Sequence, residues 1–344
     1  MKAAYIEAPL QLRVSEVKTP EPKPGEVRCK VMRSGICGTD YSIYSGEFSF
    51  VKNGAIKFPM LPGHEWSGVV DKVGEGVSIF KPGDRVVGDT AVSCGVCSKC
   101  LMGQYFACAG LRCVGTINTW DGAYAEYMFM PARHLFRLPD EVSFDNGAMV
   151  EPAATAMYSV VLGKVKLGDT VLVIGTGPIG IMAAKIAKLS GAAKVIIAGR
   201  KDFKIQAALD LGVDVGLNLM NTSLTDGVKG EGVDCVIEAS GSTELLKESL
   251  TLLNPCGTIS AVAFYEKLID GLDIDRFVFG GINLMGSAGS LGMYKPTLKL
   301  MSVGMLDFTS LITGYYSLDE VPQAMLDMKT KNDRRIKFMI KMGD

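Results

Sequence analysis

The chain has 344 residues with a formal net charge of -1, 48% hydrophobic and 21% charged residues. That length exceeds one ordinary core, so two domains are expected, and the near-neutral balance without a basic run excludes nucleic-acid or anionic-membrane binding driven by charge. Residues 1–11 lack the charged start and apolar run of a secretory leader. No apolar stretch reaches the ~20 residues of a membrane-spanning helix, and the longest candidate, residues 171–184, is broken by Gly175, Gly177, Pro178 and Gly180. A cytoplasmic protein with no nucleic-acid and no membrane partner is expected. There are nine cysteines and two histidines, His64 and His134. In a reducing compartment the cysteines are read as thiols or metal ligands, so metal chemistry must lean on cysteine and carboxylate.

Up to about residue 150 the chain is rich in Gly, Pro and short β-branched runs. Residues 27–32, 66–73, 85–87 and 125–130 are predicted strands, separated by Pro24-Gly25, Gly74-Glu75-Gly76, Pro82-Gly83-Asp84 and Asp121-Gly122. Short strands of this kind predict a small all-β barrel. Cys37-Gly38-Thr39-Asp40 follows the first strand on a turn, Gly63-His64-Glu65 precedes the second, and Glu151-Pro152 closes the region. Together they offer thiolate, imidazole and carboxylates, enough for a zinc site that keeps one position for water or substrate; any one of them alone is more often structural. Tyr41, Tyr44, Phe48 and Phe50 fall on or beside a long loop, residues 45–57, and either line a substrate cleft or pack within the loop. Few cations lie near these motifs in sequence, which argues against a phosphorylated substrate.

Cys94-Gly-Val-Cys97-Ser-Lys-Cys100 and Cys108 form a C-x2-C-x2-C-x7-C pattern. Four thiolates on one short lobe, about residues 90–113, can close a tetrahedral zinc site and tie down a segment too small for a core of its own. An iron–sulfur cluster, free thiols or a disulfide pair are the rival readings. Cys29, Cys113, Cys235 and Cys256 are read as small buried hydrophobes.

From about residue 169 the pattern becomes alternating strand and helix. Strands are predicted at 171–174, 194–198, 233–238, 257–263 and 282–286, and helices at 178–189 and 202–211, with Ile179, Met182, Ile186 and Leu189 on one helix face. This is the pattern of a parallel, doubly wound sheet. Gly175-Thr-Gly177-Pro178-Ile179-Gly180 sits between strand and helix, where a dinucleotide fingerprint belongs. Gly175 permits the tight turn, Gly177 the approach of the pyrophosphate and Gly180 the close packing of helix on strand, while the helix N-terminus faces the phosphates. At the end of the second strand stand Gly199, Arg200 and Lys201 instead of a carboxylate. An arginine there can pair with a 2′-phosphate, so NADP(H) is expected to be preferred over NAD(H); the alternative is that Arg200 and Lys201 are solvated loop charges. After residue 289 the alternation weakens, with helices predicted at 296–303 and 321–329 and a strand at 336–341.

In order along nearly the whole chain, C-G-T-D, G-H-E, the four-cysteine lobe, E-P and G-x-G-x-x-G make the sequence one that resembles the zinc-containing medium-chain dehydrogenase/reductase family. Glu65 directly after His64 makes it similar to the polyol branch, which includes sorbitol, galactitol-phosphate, cyclitol and threonine dehydrogenases. The resemblance implies a GroES-like catalytic domain (1–153, with the structural-zinc lobe), a Rossmann domain (154–289) and a C-terminal return to the catalytic domain (290–344). It implies two zinc ions per chain, one structural at Cys94, Cys97, Cys100 and Cys108 and one catalytic. Cys37 and His64 would ligate the latter, with Glu65 as third ligand or exchanging with water, and Glu151 either a direct ligand or the acceptor for bound water. Asp40 would orient His64, and Thr39 would relay the substrate proton. The implied reaction is reversible oxidation of a secondary alcohol of a polyol or cyclitol to a ketone. An L-threonine-type amino alcohol dehydrogenase and an aldehyde or ketone reductase are the enzyme alternatives. A zinc-stabilised cofactor-binding protein without turnover is the non-enzyme alternative, against which the intact set of Cys37, His64, Glu65 and Thr39 argues, since binding alone needs no proton relay. The implied partners are a small alcohol or ketone and further copies of the chain, as a homodimer or homotetramer through the edge of the Rossmann sheet.

Overall fold

The computed structural model describes residues 1–330 and 334–343. The chain divides into two compact units, Met1–Glu151 with Leu291–Asp344, and Pro152–Ser290.

Among the described residues, the main sheet of the first unit has seven strands, in the order Ile312–Tyr316, Lys337–Lys341, Glu26–Ile36, Glu65–Val73, Arg85–Gly88 and Leu135–Arg137, with Tyr127–Pro131 also paired to Glu26–Ile36. Only Ile312–Tyr316 and Lys337–Lys341 run parallel; the other pairings are antiparallel. Glu26–Ile36 is the organising strand. Its first half alternates, sending Val27, Cys29 and Val31 into a core with Trp66, Val70, Val86, Met128 and Met130. Its second half, from Val31, is buried throughout because strands or helices cover both faces. The register places Gly35 opposite Glu65 and Ile36 opposite Phe338, and this juxtaposition positions the site described below. A second core joins Ile6, Ile36, Ile43 and Phe338 with Tyr44 and Phe48. The two aromatics are therefore packing residues, and Tyr41 and Phe50 lean on the same cluster. The segment expected as a loop holds a short helix, Ser49–Lys52, whose Phe50 meets the preceding Phe48 at 5.2 Å between ring centres.

The second unit is built on a six-stranded parallel sheet in the order Val215–Asn218, Lys194–Gly199, Thr170–Ile174, Val233–Glu238, Leu253–Ala261, Asn283–Gly286. Its order reverses between Thr170–Ile174 and Val233–Glu238, which opens a crevice at the carboxyl ends of these strands. Helix Pro178–Leu189 starts with proline, whose missing N–H costs nothing at that position. Its buried stripe is centred on Gly180, Ala183, Ala184 and Ala187 with Ile181, Met182 and Ile186, while Leu189 is exposed. The small residues let the helix approach the sheet, so the face expected around Ile179 and Leu189 turns partly outward. Strand Leu253–Ala261 begins earlier than its β-branched run, although Asn254, Pro255 and Gly257 disfavour a strand, and Cys256 takes a left-handed conformation (φ 63°). Cys256 is exposed, unlike Cys29 and Cys235, which are buried; Cys113 is half-buried. Among the described residues no helix is long and apolar enough to cross a membrane.

Candidate active site, metal centres and cofactor cavity

Cys37 directly follows the organising strand and caps the helix Gly38–Ser45. Asp40, three residues into that cap, accepts a hydrogen bond from the Cys37 amide at 2.9 Å. Its carboxylate is fully buried, which requires partners. The Tyr124 hydroxyl donates to Oδ2 at 2.8 Å, and His64 Nδ1 stands 3.3 Å from Oδ1, close enough to pair but poorly aligned for a hydrogen bond. With Nδ1 against Asp40, Nε2 is the ring atom left for a metal. Burial works to lower the His64 pKa, but the Asp40 carboxylate and the Cys37 thiol overcome it and hold His64 well above its usual value. Burial likewise works to raise Asp40, and His64, the Cys37 amide and Tyr124 pull it below the usual carboxylate range.

Cys37 Sγ, a ring nitrogen of His64 and a carboxylate oxygen of Glu65 lie within 4.8 Å of one another. One thiolate, one imidazole backed by Asp40, and one carboxylate are a donor set that fits zinc with a position to spare. Thr39 is half-buried in the first helical turn beyond Cys37. Glu151, half-buried in the first turn of helix Val150–Leu162, is not part of the three-residue cluster.

The sequence reading missed the partner of Glu65. Lys337 Nζ donates to both Glu65 oxygens at 2.7 Å and to the Ile36 carbonyl at 3.3 Å. Both side chains are buried, with 3% and 1% of their surface exposed. Burial works to lower the Lys337 pKa, and the Glu65 carboxylate outweighs it and raises it. Gly35 makes this possible: a Cβ there would lie 2.1 Å from Glu65 Oε2. The few cations expected near the site are joined by one from a strand distant in sequence, although Glu65 consumes its charge. A lysine flanked by Ile336, Phe338 and Met339 was the available signal, but strand alternation alone points it to solvent.

In the cysteine lobe, Cys94, Cys97, Cys100 and Cys108 bring their sulfurs within 4.8 Å of one another. The Sγ–Sγ distances are 3.8 Å for Cys94–Cys100 and 3.5 Å for Cys97–Cys100. A tetrahedron with ~2.3 Å Zn–S bonds has edges of roughly 3.8 Å, so the geometry fits a closed zinc site. The amides of Val96 and Cys97 pull Cys94 down to about 6. Cys97, despite the Cys100 amide, is pushed up by the neighbouring thiols. Such crowding of sulfurs is what a bound dication relieves.

In the second unit, a cavity of about 520 Å³ opens on Gly175, Thr176 and Gly177, and Arg200, Lys201, Lys204 and Lys267 line it with Glu244. Gly175 has φ 111°, and a Cβ on it would come within 2.8 Å of the Ala239 backbone. At Gly180 a Cβ would lie 1.9 Å from the Gly175 carbonyl oxygen, whereas at Gly177 it would meet nothing within 4 Å, leaving the backbone open to a phosphate. The facing loop is held by Glu238, which is fully buried and accepts from the amides of Ser240 (2.9 Å) and Gly241 (3.1 Å), the Ser240 hydroxyl and the Tyr265 hydroxyl (2.6 Å). Gly199 is hemmed in, since a Cβ there would lie 2.4 Å from both Cγ2 and Oγ1 of Thr176. Lys204 and Lys267, which line the cavity, and Glu238, which holds the facing loop, were not singled out from the sequence, because folding and not a local motif brings them there.

Residues 23–140 match the alcohol dehydrogenase GroES-like domain and residues 178–303 the zinc-binding dehydrogenase domain. Among curated relatives, an L-threonine 3-dehydrogenase from Pyrococcus horikoshii is 32% identical over 95% of this chain and 94% of its own. A sorbitol dehydrogenase from Bacillus subtilis is 28% identical over 94% and 92%. Among solved structures, a zinc-binding dehydrogenase from Sinorhizobium meliloti bound to NADP superposes with a TM-score of 0.90 at 30% identity, covering 99% of both chains. A short chain alcohol dehydrogenase from Escherichia coli complexed with NADH gives 0.92 at 31%, again covering 99% of both. The chain belongs to the zinc-containing medium-chain dehydrogenase/reductase family, with a GroES-like and a Rossmann fold. It is an oxidoreductase of the polyol-like branch that acts on CH–OH groups with zinc and a nicotinamide cofactor.

Proposed function

We propose that this enzyme oxidises a secondary alcohol of a polyol or cyclitol to the ketone, reversibly, with NADP+ preferred over NAD+. The gathering of Cys37, His64 and Glu65 over the buried Asp40 carries the reaction class. Zinc, when bound, supplies a Lewis acid that lowers the pKa of an alcohol hydroxyl. In this reading Cys37 and His64 hold the metal, Glu65 ligates or yields to water, and Asp40 fixes the imidazole. The separation of Glu151 from the cluster favours its acting through water. Thr39 passes the hydroxyl proton outward, and the nicotinamide cofactor, when bound, accepts the carbon-bound hydride. A second, structural zinc sits on Cys94, Cys97, Cys100 and Cys108. Residues 1–153 with 290–344 carry the chemistry, and 154–289 bind the dinucleotide.

The cofactor preference rests on Gly199, which leaves no side chain to clasp a ribose hydroxyl, and on Arg200, Lys201, Lys204 and Lys267 around the cavity. A homodimer or homotetramer would form through Asn283–Gly286, one of the two edge strands, where Leu284 and the nearby Val278 and Phe279 are exposed. A cytoplasmic location suits the thiol ligands. Oxidation of an amino alcohol of the L-threonine type is a second reading, favoured by the 32% identity to a threonine dehydrogenase. The test is a panel of polyols, cyclitols and L-threonine with both cofactors, followed by absorbance of the reduced nicotinamide. Turnover of L-threonine alone replaces the polyol reading. No turnover by protein carrying two zincs leaves a binding protein, and a higher kcat/KM with NAD+ overturns the cofactor assignment.

A further inference from the structure

The Glu65 carboxylate faces two cations' worth of demand. Its oxygens are both held at 2.7 Å by Lys337, yet one of them lies within 4.8 Å of the Cys37 and His64 ligand atoms. The ammonium is anchored from behind by the Ile36 carbonyl and is delivered by a strand paired to the strand that leads into Cys37. The carboxylate is confined as well: it lies over Gly35, at whose position any Cβ would strike Oε2, and it is almost fully buried. A buried carboxylate shared between an ammonium and a metal gives less electron density to each than it gives to one alone.

We propose that Lys337 is the competing partner of Glu65, a positioning residue that weakens the hold of Glu65 on the catalytic metal and thereby keeps that ligand displaceable. The inference rests on the reading of Cys37, His64 and Glu65 as the metal site. Lys337 touches neither substrate nor cofactor in this role; it acts through Glu65. Without Lys337 the carboxylate has only the metal as cationic partner, so it remains bound, the metal is held more tightly and the exchange with water or substrate is lost.

The test uses cobalt(II) as probe, titrated into full-length protein that keeps its structural zinc, with the d–d absorption bands reporting affinity and ligand number. The variants are Lys337→Met, Glu65→Gln and the double variant, which removes both buried charges together and so guards against a folding failure of Lys337→Met alone. The expected result is tighter cobalt binding by Lys337→Met, on the order of 10-fold or more, the size of effect that residues behind metal ligands exert. The change should disappear when Glu65→Gln is the background. A gain of equal or larger size in the Glu65→Gln background means that Lys337 acts by direct repulsion of the metal and overturns the proposal. Unchanged or weaker binding by Lys337→Met overturns it too. If cobalt binding is unaffected by Cys37→Ala, the metal-site reading itself fails, and the inference with it.

Discussion

Exchanging Gly199 for aspartate gives the strand end the acidic group that clasps a ribose 2′-hydroxyl in NAD-dependent Rossmann domains. In this chain the exchange meets an obstacle. The new Cβ would lie 2.4 Å from Cγ2 and Oγ1 of Thr176, a side chain that is itself buried. Ordinary contact begins near ~3.5 Å, so either the strand end or the glycine turn has to move by about an ångström. Overpacking of this kind costs roughly 1–3 kcal/mol, equivalent to about 5- to 150-fold in kcat/KM if the displaced element is the cofactor cradle. Gly199→Asp should therefore lose NADP+ activity, through repulsion of the 2′-phosphate, without gaining the NAD+ activity that the carboxylate would otherwise confer. Thr176→Ala removes the two closest atoms, leaving only its Cβ at 2.9 Å from the new one, and should release part of that gain. The assay is kcat/KM for each cofactor in the single and double variants, and the expected coupling between the two sites is about 1–3 kcal/mol. Effects of Thr176→Ala and Gly199→Asp that simply add, with Gly199→Asp alone switching the preference, would refute the argument.

Three further outcomes are expected. Cys97→Ser should remove one zinc equivalent per chain and expose the lobe around Ser98–Leu101 to proteolysis, as metal analysis and limited digestion will show; full zinc content in the variant would contradict the closed four-cysteine site. Thr39→Val, nearly isosteric, should lower kcat by about 10²- to 10⁴-fold while zinc content and cofactor KM stay near the parent's, whereas an unchanged kcat removes Thr39 from the proton path. Asp89 is pushed up from 3.8 to about 6 by burial, against the opposing pull of the Ala91 amide and the Tyr105 hydroxyl. Its folded-state pKa exceeds the unfolded one, so the native protein holds the extra proton in between, and the stability it contributes is full below about pH 4 and lost as pH rises through about 6. Asp89→Asn should abolish that part of the slope in urea unfolding at pH 4.5 and 7; an identical slope in both proteins would count against it.

What the sequence makes legible is local. Cys37 with Asp40, His64 with Glu65, and the four cysteines stand out because ligand-bearing residues cluster within a few positions, and folding brings these groups within 4.8 Å. The parallel sheet is equally open to reading, since Val171–Ile174 and Val195–Ala198 are apolar runs buried on both faces. The second half of Glu26–Ile36 is not: Arg33, Ser34 and Gly35 carry no β signal and remain in the strand because neighbours on both sides hold them. Helix Val150–Leu162 hides in the same way: Pro152 and the apolar Val160, Val161 and Leu162 mask the short polar period of Glu151, Thr155 and Tyr158. Tyr44 and Phe48 invited a role in substrate contact and are core residues instead. Lys337, Gly35 and Tyr124 were invisible for one shared reason. Their partners are set by strand register and tertiary packing between residues dozens to hundreds of positions apart, and no spacing rule reaches that far.

The placement of Lys337–Lys341 between Glu26–Ile36 and Ile312–Tyr316 has a consequence for synthesis. Residues 152–290 form a continuous unit and can fold as soon as they clear the ribosome, whereas the unit begun earlier lacks an inner strand of its sheet until residues 337–341 emerge. Until then the strand leading to Cys37 has an open edge, and the Glu65 carboxylate has no ammonium beside it. The segment made first is thus completed last, and a chain stopped short of residue 337 exposes the thiol, imidazole and carboxylate of its metal site without the side chain that restrains them.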